Sequence, residues 1–177
     1  SLGRQLRHLQ ASSIDENDPG VRFRIGIALS IAGAAIEDNQ KALAAGLQIL
    51  EAECTTQILA DGGHASRNPE ALAEALLDIQ AVEELLLRLG LVAPAFLTRL
   101  QPRMAAMLSF PVRRQKFQPR AHGGGDAANG VASAALRPHG GVSSKFAFAR
   151  LSAWQRIQAE ELTVYVDAGE GPPRPHG

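Results

Sequence analysis

The chain has 177 residues with 18 Lys+Arg against 18 Asp+Glu, so no whole-chain field points to nucleic acid or to an anionic membrane surface. Hydrophobic residues make up 45% and aromatics only 5%, which is enough for a globular core built from Leu, Ala, Ile and Val. No apolar run reaches the roughly 20 residues of a membrane span, and the single cysteine, Cys54, excludes an internal disulfide.

Residues 1–110 carry a helical pattern rich in Ala and Leu. Residues 3–11 read as the end of a first helix, followed by a turn at Asp18-Pro19-Gly20. Residues 21–36 place Phe23, Ile27, Ile31 and Ala35 at helical spacing and are apolar on most faces, so this helix should be buried on several sides. Asp38 or Asn39 can cap a third helix over 40–59, with the stripe Leu43, Leu47, Leu50, Cys54 and Ile58. Cys54 reads as a core residue, since it lies on that stripe with no basic neighbour to activate a thiolate.

Asp61-Gly62-Gly63-His64 should end the third helix. Asn68-Pro69-Glu70 then begins a fourth: Asn suits the N-cap, Pro the first turn, and Glu the positive end of the helix dipole. Its inner stripe is Leu72, Leu76, Ile79, Val82 and Leu86, and Gly90 stops it. A fifth helix runs from Pro94 to about Phe110, with Pro102 expected to kink or split it. Helices of this length joined by short loops form helical hairpins.

Residues 111–150 are rich in Gly, Pro, Arg and Ser and read as an irregular region. Gly123-Gly124-Gly125 lacks the flanking strand and the Lys-Ser/Thr ending of a phosphate-binding loop. The segment 151–177 holds two strand-like runs, Trp154 to Gln158 and Leu162 to Asp167, joined by a short polar turn. Two strands alone are marginal in water. The rest of their sheet should therefore lie beyond Gly177, or the pair should pack on the helices. The start at Ser1 and the Pro/Gly-rich end suggest a piece of a longer protein.

The order of several motifs resembles bacterial heparinase II/III-like proteins. The run Gln57-Ile58-Leu59-Ala60-Asp61-Gly62-Gly63-His64-Ala65-Ser66-Arg67-Asn68-Pro69 carries most of it. The helix from Leu72, the run Arg103 to Leu108, Trp154 to Ile157, and Thr163 to Gly169 add to it. The resemblance covers roughly residues 1–110 and 150–172. It implies a mainly α fold: helical hairpins of an incomplete α/α toroid over 1–110, then the first strands of an antiparallel β-domain over 151–177. It further implies a polysaccharide lyase working by β-elimination on acidic glycans such as glycosaminoglycans, in the periplasm or cell envelope.

Lyase chemistry must neutralise a sugar carboxylate, remove the adjacent proton and protonate the leaving oxygen. The family's Gly-Asn-His is matched here by Gly20-Val21-Arg22, its Tyr by about Ala71, and an acidic position by Ser66. The chain therefore reads as catalytically impaired. The alternative is a non-catalytic glycan-binding or envelope-associated structural module, and a helical protein-interaction module is a third reading.

On the lyase reading, His64 is the candidate catalytic residue, and Arg67 and Asp61 are the candidate substrate-binding residues. The plainer reading makes His64 a loop histidine, Arg67 a surface ion-pair partner and Asp61 a turn residue. Trp154 and Tyr165 read as packing residues rather than as a sugar platform and a proton donor. The basic stretch Arg113 to Arg120 could grip an acidic polymer or serve as a solvated linker. The partner implied is an acidic polysaccharide. No nucleic-acid motif is present, no cofactor is implied, no histidines have metal-ligand spacing, and the oligomeric state stays open.

Overall fold

The computed structural model describes residues 2–109, 128–140, 148–159 and 162–168. Within them the chain is mainly helical and closes on a small antiparallel sheet, as expected from the sequence. The helices are α1 (Leu2–Asp15), α2 (Pro19–Ala35), α3 (Gln40–Gln57), α4 (Pro69–Arg88), α5 (Ala95–Leu108) and α6 (Ala128–Leu136). A 3-10 turn, Arg137–His139, follows α6. The strands are β1 (Phe148–Ala149), β2 (Trp154–Ala159) and β3 (Leu162–Asp167). α6 falls inside the stretch that showed no periodicity. No helix among the described residues is long and apolar enough to cross a membrane.

The chain divides into two compact units: Ser1–Gln57 with Asp78–Arg99, and Ile58–Leu77 with Leu100–Gly177. In the first unit, Asp18 is more than a turn residue. Its Oδ1 accepts from the amides of Gly20 (2.8 Å) and Val21 (3.0 Å), which caps α2 directly ahead of Pro19. Leu6, Ile25 and Leu29 form a buried cluster here, flanked by Leu9, Val21, Ala32, Ile36 and Ile49.

α2 and α3 approach at backbone distance because glycines line their seam. A Cβ on Gly33 would lie 2.2 Å from the Leu43 amide nitrogen, and one on Gly46 would lie 2.4 Å from that of Ser30. The Ser30 hydroxyl is fully buried and donates to the Gly26 carbonyl at 2.7 Å, so close packing leaves that donor satisfied.

The same hairpin carries a buried acid. Glu53 Oε1 accepts from Arg22 Nε at 2.6 Å, and its Oε2 accepts from Gln57 Nε2 at 3.1 Å. Gln57 Nε2 also donates to the Pro19 carbonyl at 2.8 Å. Arg22, which the heparinase-like resemblance set against a histidine, is thus tied to the end of α3.

Cys54 is buried in this unit, and burial first, then Glu53 and Glu51, push its thiol up to about 12. A thiolate is the reactive form. We therefore expect a thiol reagent at pH 8 to leave the folded protein unlabelled and to label it stoichiometrically in urea. Fast labelling under native conditions would contradict the buried position.

α5 runs unbroken through Pro102 rather than splitting there. Proline removes one amide donor and crowds the preceding turn. Leu97, Met104 and Leu108 are nevertheless fully buried along this helix, so tertiary packing outweighs that local cost.

In the second unit the strand order is β1-β2-β3. The register pairs Trp154 with Asp167, Gln155 with Val166, Arg156 with Tyr165 and Ile157 with Val164. Alternation sends Trp154 to a buried face, while Ile157, Val164 and Val166 share the exposed one. Of the two fates expected for the hairpin, packing on helices within its own unit is what occurs at Trp154, which lines one cleft with Leu72 of α4 and Met107 and Leu108 of α5.

Candidate functional site

The Asp-Gly-Gly-His run forms a tight reversal rather than a simple helix end. Ile58 and His64 pair as an antiparallel bridge, the Leu59 amide donates to the Gly63 carbonyl at 2.8 Å, and the Gly62 amide donates back to Leu59 at 2.9 Å. Both glycines are needed. Gly62 has φ +89°, and its Cβ position lies 2.3 Å from the Arg103 carbonyl oxygen. A Cβ on Gly63 would fall 1.8 Å from Ser152 Oγ.

Asp61 uses both carboxylate oxygens. Oδ1 accepts from the Gly63 amide (3.0 Å) and the Ser152 hydroxyl (2.9 Å). Oδ2 accepts from the amides of Leu151 (3.0 Å) and Ser152 (2.7 Å). One side chain thereby clamps the loop to a segment some ninety residues later, directly before β2. Four bonds take up the acceptor capacity of the Asp61 carboxylate in this arrangement.

His64 faces a comparable commitment. Its Nδ1 accepts from the Ser66 amide at 3.1 Å and lies 2.7 Å from Ser66 Oγ. An amide can only donate, so Nδ1 carries no proton. The ring is then the neutral tautomer with its hydrogen on Nε2, and the hydroxyl donates to Nδ1 as well. Burial lowers the histidine pKa below its ordinary value. Arg67 adopts φ +57°, and its amide donates to the His64 carbonyl at 2.8 Å. Asn68 caps α4 by accepting from the Glu70 amide at 2.9 Å, as its sequence position predicted.

The cleft above this loop is lined by Gly63, His64, Arg67, Asn68, Pro69, Leu72, Met107, Leu108, Ser152 and Trp154. It is a shallow cleft, with an empty volume of about 290 Å³ when open solvent is included. His64 and Arg67 both reach it, whereas Asp61 does not line it. Trp154 is only 7% exposed, which suits packing and leaves little ring face for a sugar. Among the described residues no cluster of three or more His, Cys, Asp or Glu is placed to hold a metal ion. The basic stretch Arg113 to Arg120 lies outside the described residues.

Sequence reasoning missed Ser152, the residue on which Asp61 closes. It precedes β2 in an ordinary Leu-Ser-Ala run, and nothing local ties it to a loop 91 positions earlier. Ser66 was singled out only as the place of a missing acid, not as the partner of His64.

No family model matches the chain, and no solved structure matches it. Among curated proteins it is similar to FtsZ-localized protein C of Caulobacter vibrioides, at 26% identity over 176 residues. That match takes in 98% of this chain and 30% of the relative, so the chain spans under a third of the length of the protein it resembles. This finding overturns the heparinase II/III-like assignment, and with it the polysaccharide lyase reaction and the glycosaminoglycan substrate. In the loop itself, Asp61 is bonded to Gly63, Leu151 and Ser152, and the Nδ1 face of His64 to Ser66. The motif that carried the resemblance thus holds a turn together.

Proposed function

We propose that this chain is a non-catalytic structural module of an envelope-associated protein that localises with FtsZ at the division site. The observation that carries the reading is the engagement of the Asp-Gly-Gly-His loop. Its polar groups are used in folding the loop and clamping it to the segment before β2, which leaves no paired acid and base aimed at the cleft among the described residues. The similarity to a protein named for its FtsZ localisation supports the setting, and the small cleft supports a binding or scaffolding role over turnover. In this reading His64 and Asp61 are structural residues, and Arg67 completes the turn into α4.

An acidic polysaccharide remains the second reading for a partner, because Arg67 and His64 line the cleft beside Trp154. Arg67 offers a planar cationic group suited to carboxylates.

The test is a fluorescent fusion of the chain expressed in Caulobacter vibrioides. A midcell band that disperses when FtsZ is depleted is the expected result. A uniform envelope signal that ignores FtsZ would favour the polysaccharide reading. Diffuse cytoplasmic fluorescence from a folded fusion would overturn both.

A further inference from the structure

We infer that the His64–Ser66 pair is a pH-sensitive latch on the loop leading into α4, closed while the imidazole is neutral and released when it gains a proton. The geometry carries this. Nδ1 sits 3.1 Å from an amide that can only donate and 2.7 Å from the Ser66 hydroxyl. Protonation places a second N–H against the Ser66 amide, two donors face to face. The hydroxyl can rotate to accept instead, but the amide cannot.

The same hydroxyl also accepts from the Asn68 amide at 3.3 Å, so its reorientation reaches the cap of α4. In the backbone, Ile58 pairs with His64 through the antiparallel bridge, and Gly63 leads into the Asp61 clamp. Loss of the latch therefore perturbs the cleft floor from within the loop.

Among the described residues that line the cleft, no carboxylate faces the ring to stabilise an imidazolium. The cleft receives Leu72 from α4, Met107 and Leu108 from α5, and Ser152 and Trp154 from the segment around β2, none of them titratable. Arg67, the charged residue in the lining, is a cation. Asp61 is the acid on this loop, and its oxygens are occupied by Gly63, Leu151 and Ser152. The depressed histidine pKa agrees with this environment.

The sign of the effect follows from linkage. A histidine with a folded pKa below its unfolded value binds its proton more readily in the unfolded chain. Its stabilising contribution is complete above the unfolded pKa of about 6.5 and is lost as pH falls from there toward the folded value.

The experiment compares the wild-type chain with H64N and H64A between pH 7.5 and 5. Asparagine Oδ1 occupies the place of Nδ1 and accepts from the Ser66 amide without titrating. We expect H64N to match the wild-type melting temperature at pH 7.5, and the wild type to lose about 3 °C more than H64N on acidification. H64A should melt low at both pH values, since it lacks the acceptor. Nitrogen-15 NMR of the wild type at pH 7.5 should show the Nε2–H tautomer, with the Ser66 amide resonance moving in step with His64 protonation. A histidine that titrates at or above 6.5, or parallel pH profiles for wild type and H64N, would overturn the latch. These readouts do not depend on the division-site reading and fail or succeed separately from it.

Discussion

Replacing Gly33 by alanine should destabilise the protein by about 3 kcal/mol, the upper part of the range for forced overpacking. The added Cβ would meet the Leu43 amide nitrogen at 2.2 Å and the Leu43 Cα at 2.7 Å. These are backbone atoms, so no rotamer change relieves the contact, and α2 must move away from α3. That movement would open the seam around Leu29 and Leu50, both fully buried. Gly130 supplies the control. It lies in α6 with nothing within 4 Å of its Cβ position, so alanine there should be neutral or stabilising by up to about 1 kcal/mol. Urea unfolding followed by circular dichroism reads both variants. Equal midpoints for Gly33→Ala and wild type would mean the helices do not approach as closely as described.

Truncating Asp61 to alanine should cost a similar amount, about 3 kcal/mol, for a different reason. The change strands the amides of Leu151 and Ser152 and the Ser152 hydroxyl, and Ser152 is almost fully buried. Leaving buried donors without acceptors costs about 1–3 kcal/mol each before relaxation admits water. Asparagine retains one acceptor oxygen and should lose about half as much. Hydrogen exchange provides the local signature: the Leu151 and Ser152 amides should lose protection in Asp61→Ala. Unchanged protection at both would contradict the clamp. An enzyme-centred view of the loop predicts instead that Asp61 could be removed with little effect on folding, so this measurement also separates the two views of the motif.

The Asp-Gly-Gly-His run shows how a short motif can mislead. Its residue types fit a polar catalytic loop as well as a tight reversal, because both need glycine, a carboxylate and an imidazole near a helix start. What separates them is whether the polar atoms are engaged internally or left facing a cleft. That depends on Ser66, which is close in sequence, and on Ser152, which is not.

Much of the helical architecture was legible from local chemistry. Asn68-Pro69-Glu70 fixed the start of α4 within one residue, since capping involves neighbouring atoms alone. Gly90 marked its end by taking a left-handed conformation, φ +70°. The apolar stripes of α3 and α4 pointed inward because helical spacing converts directly into a face. The alternation in Trp154 to Ile157 likewise separated a buried from an exposed sheet face. Tertiary structure decided the rest. The continuity of α5 through Pro102 depends on buried Leu97, Met104 and Leu108, whose packing outweighs the missing amide bond. The glycines at 33 and 46 carry no helical signal of their own, and only the approach of α2 to α3 gives them a purpose. The joining of Asp61 to Ser152, across 91 positions, has no local cause at all. Caps, stops and faces arise from interactions within a turn or two of chain, whereas the pairing of distant polar groups is set only when folding brings them together.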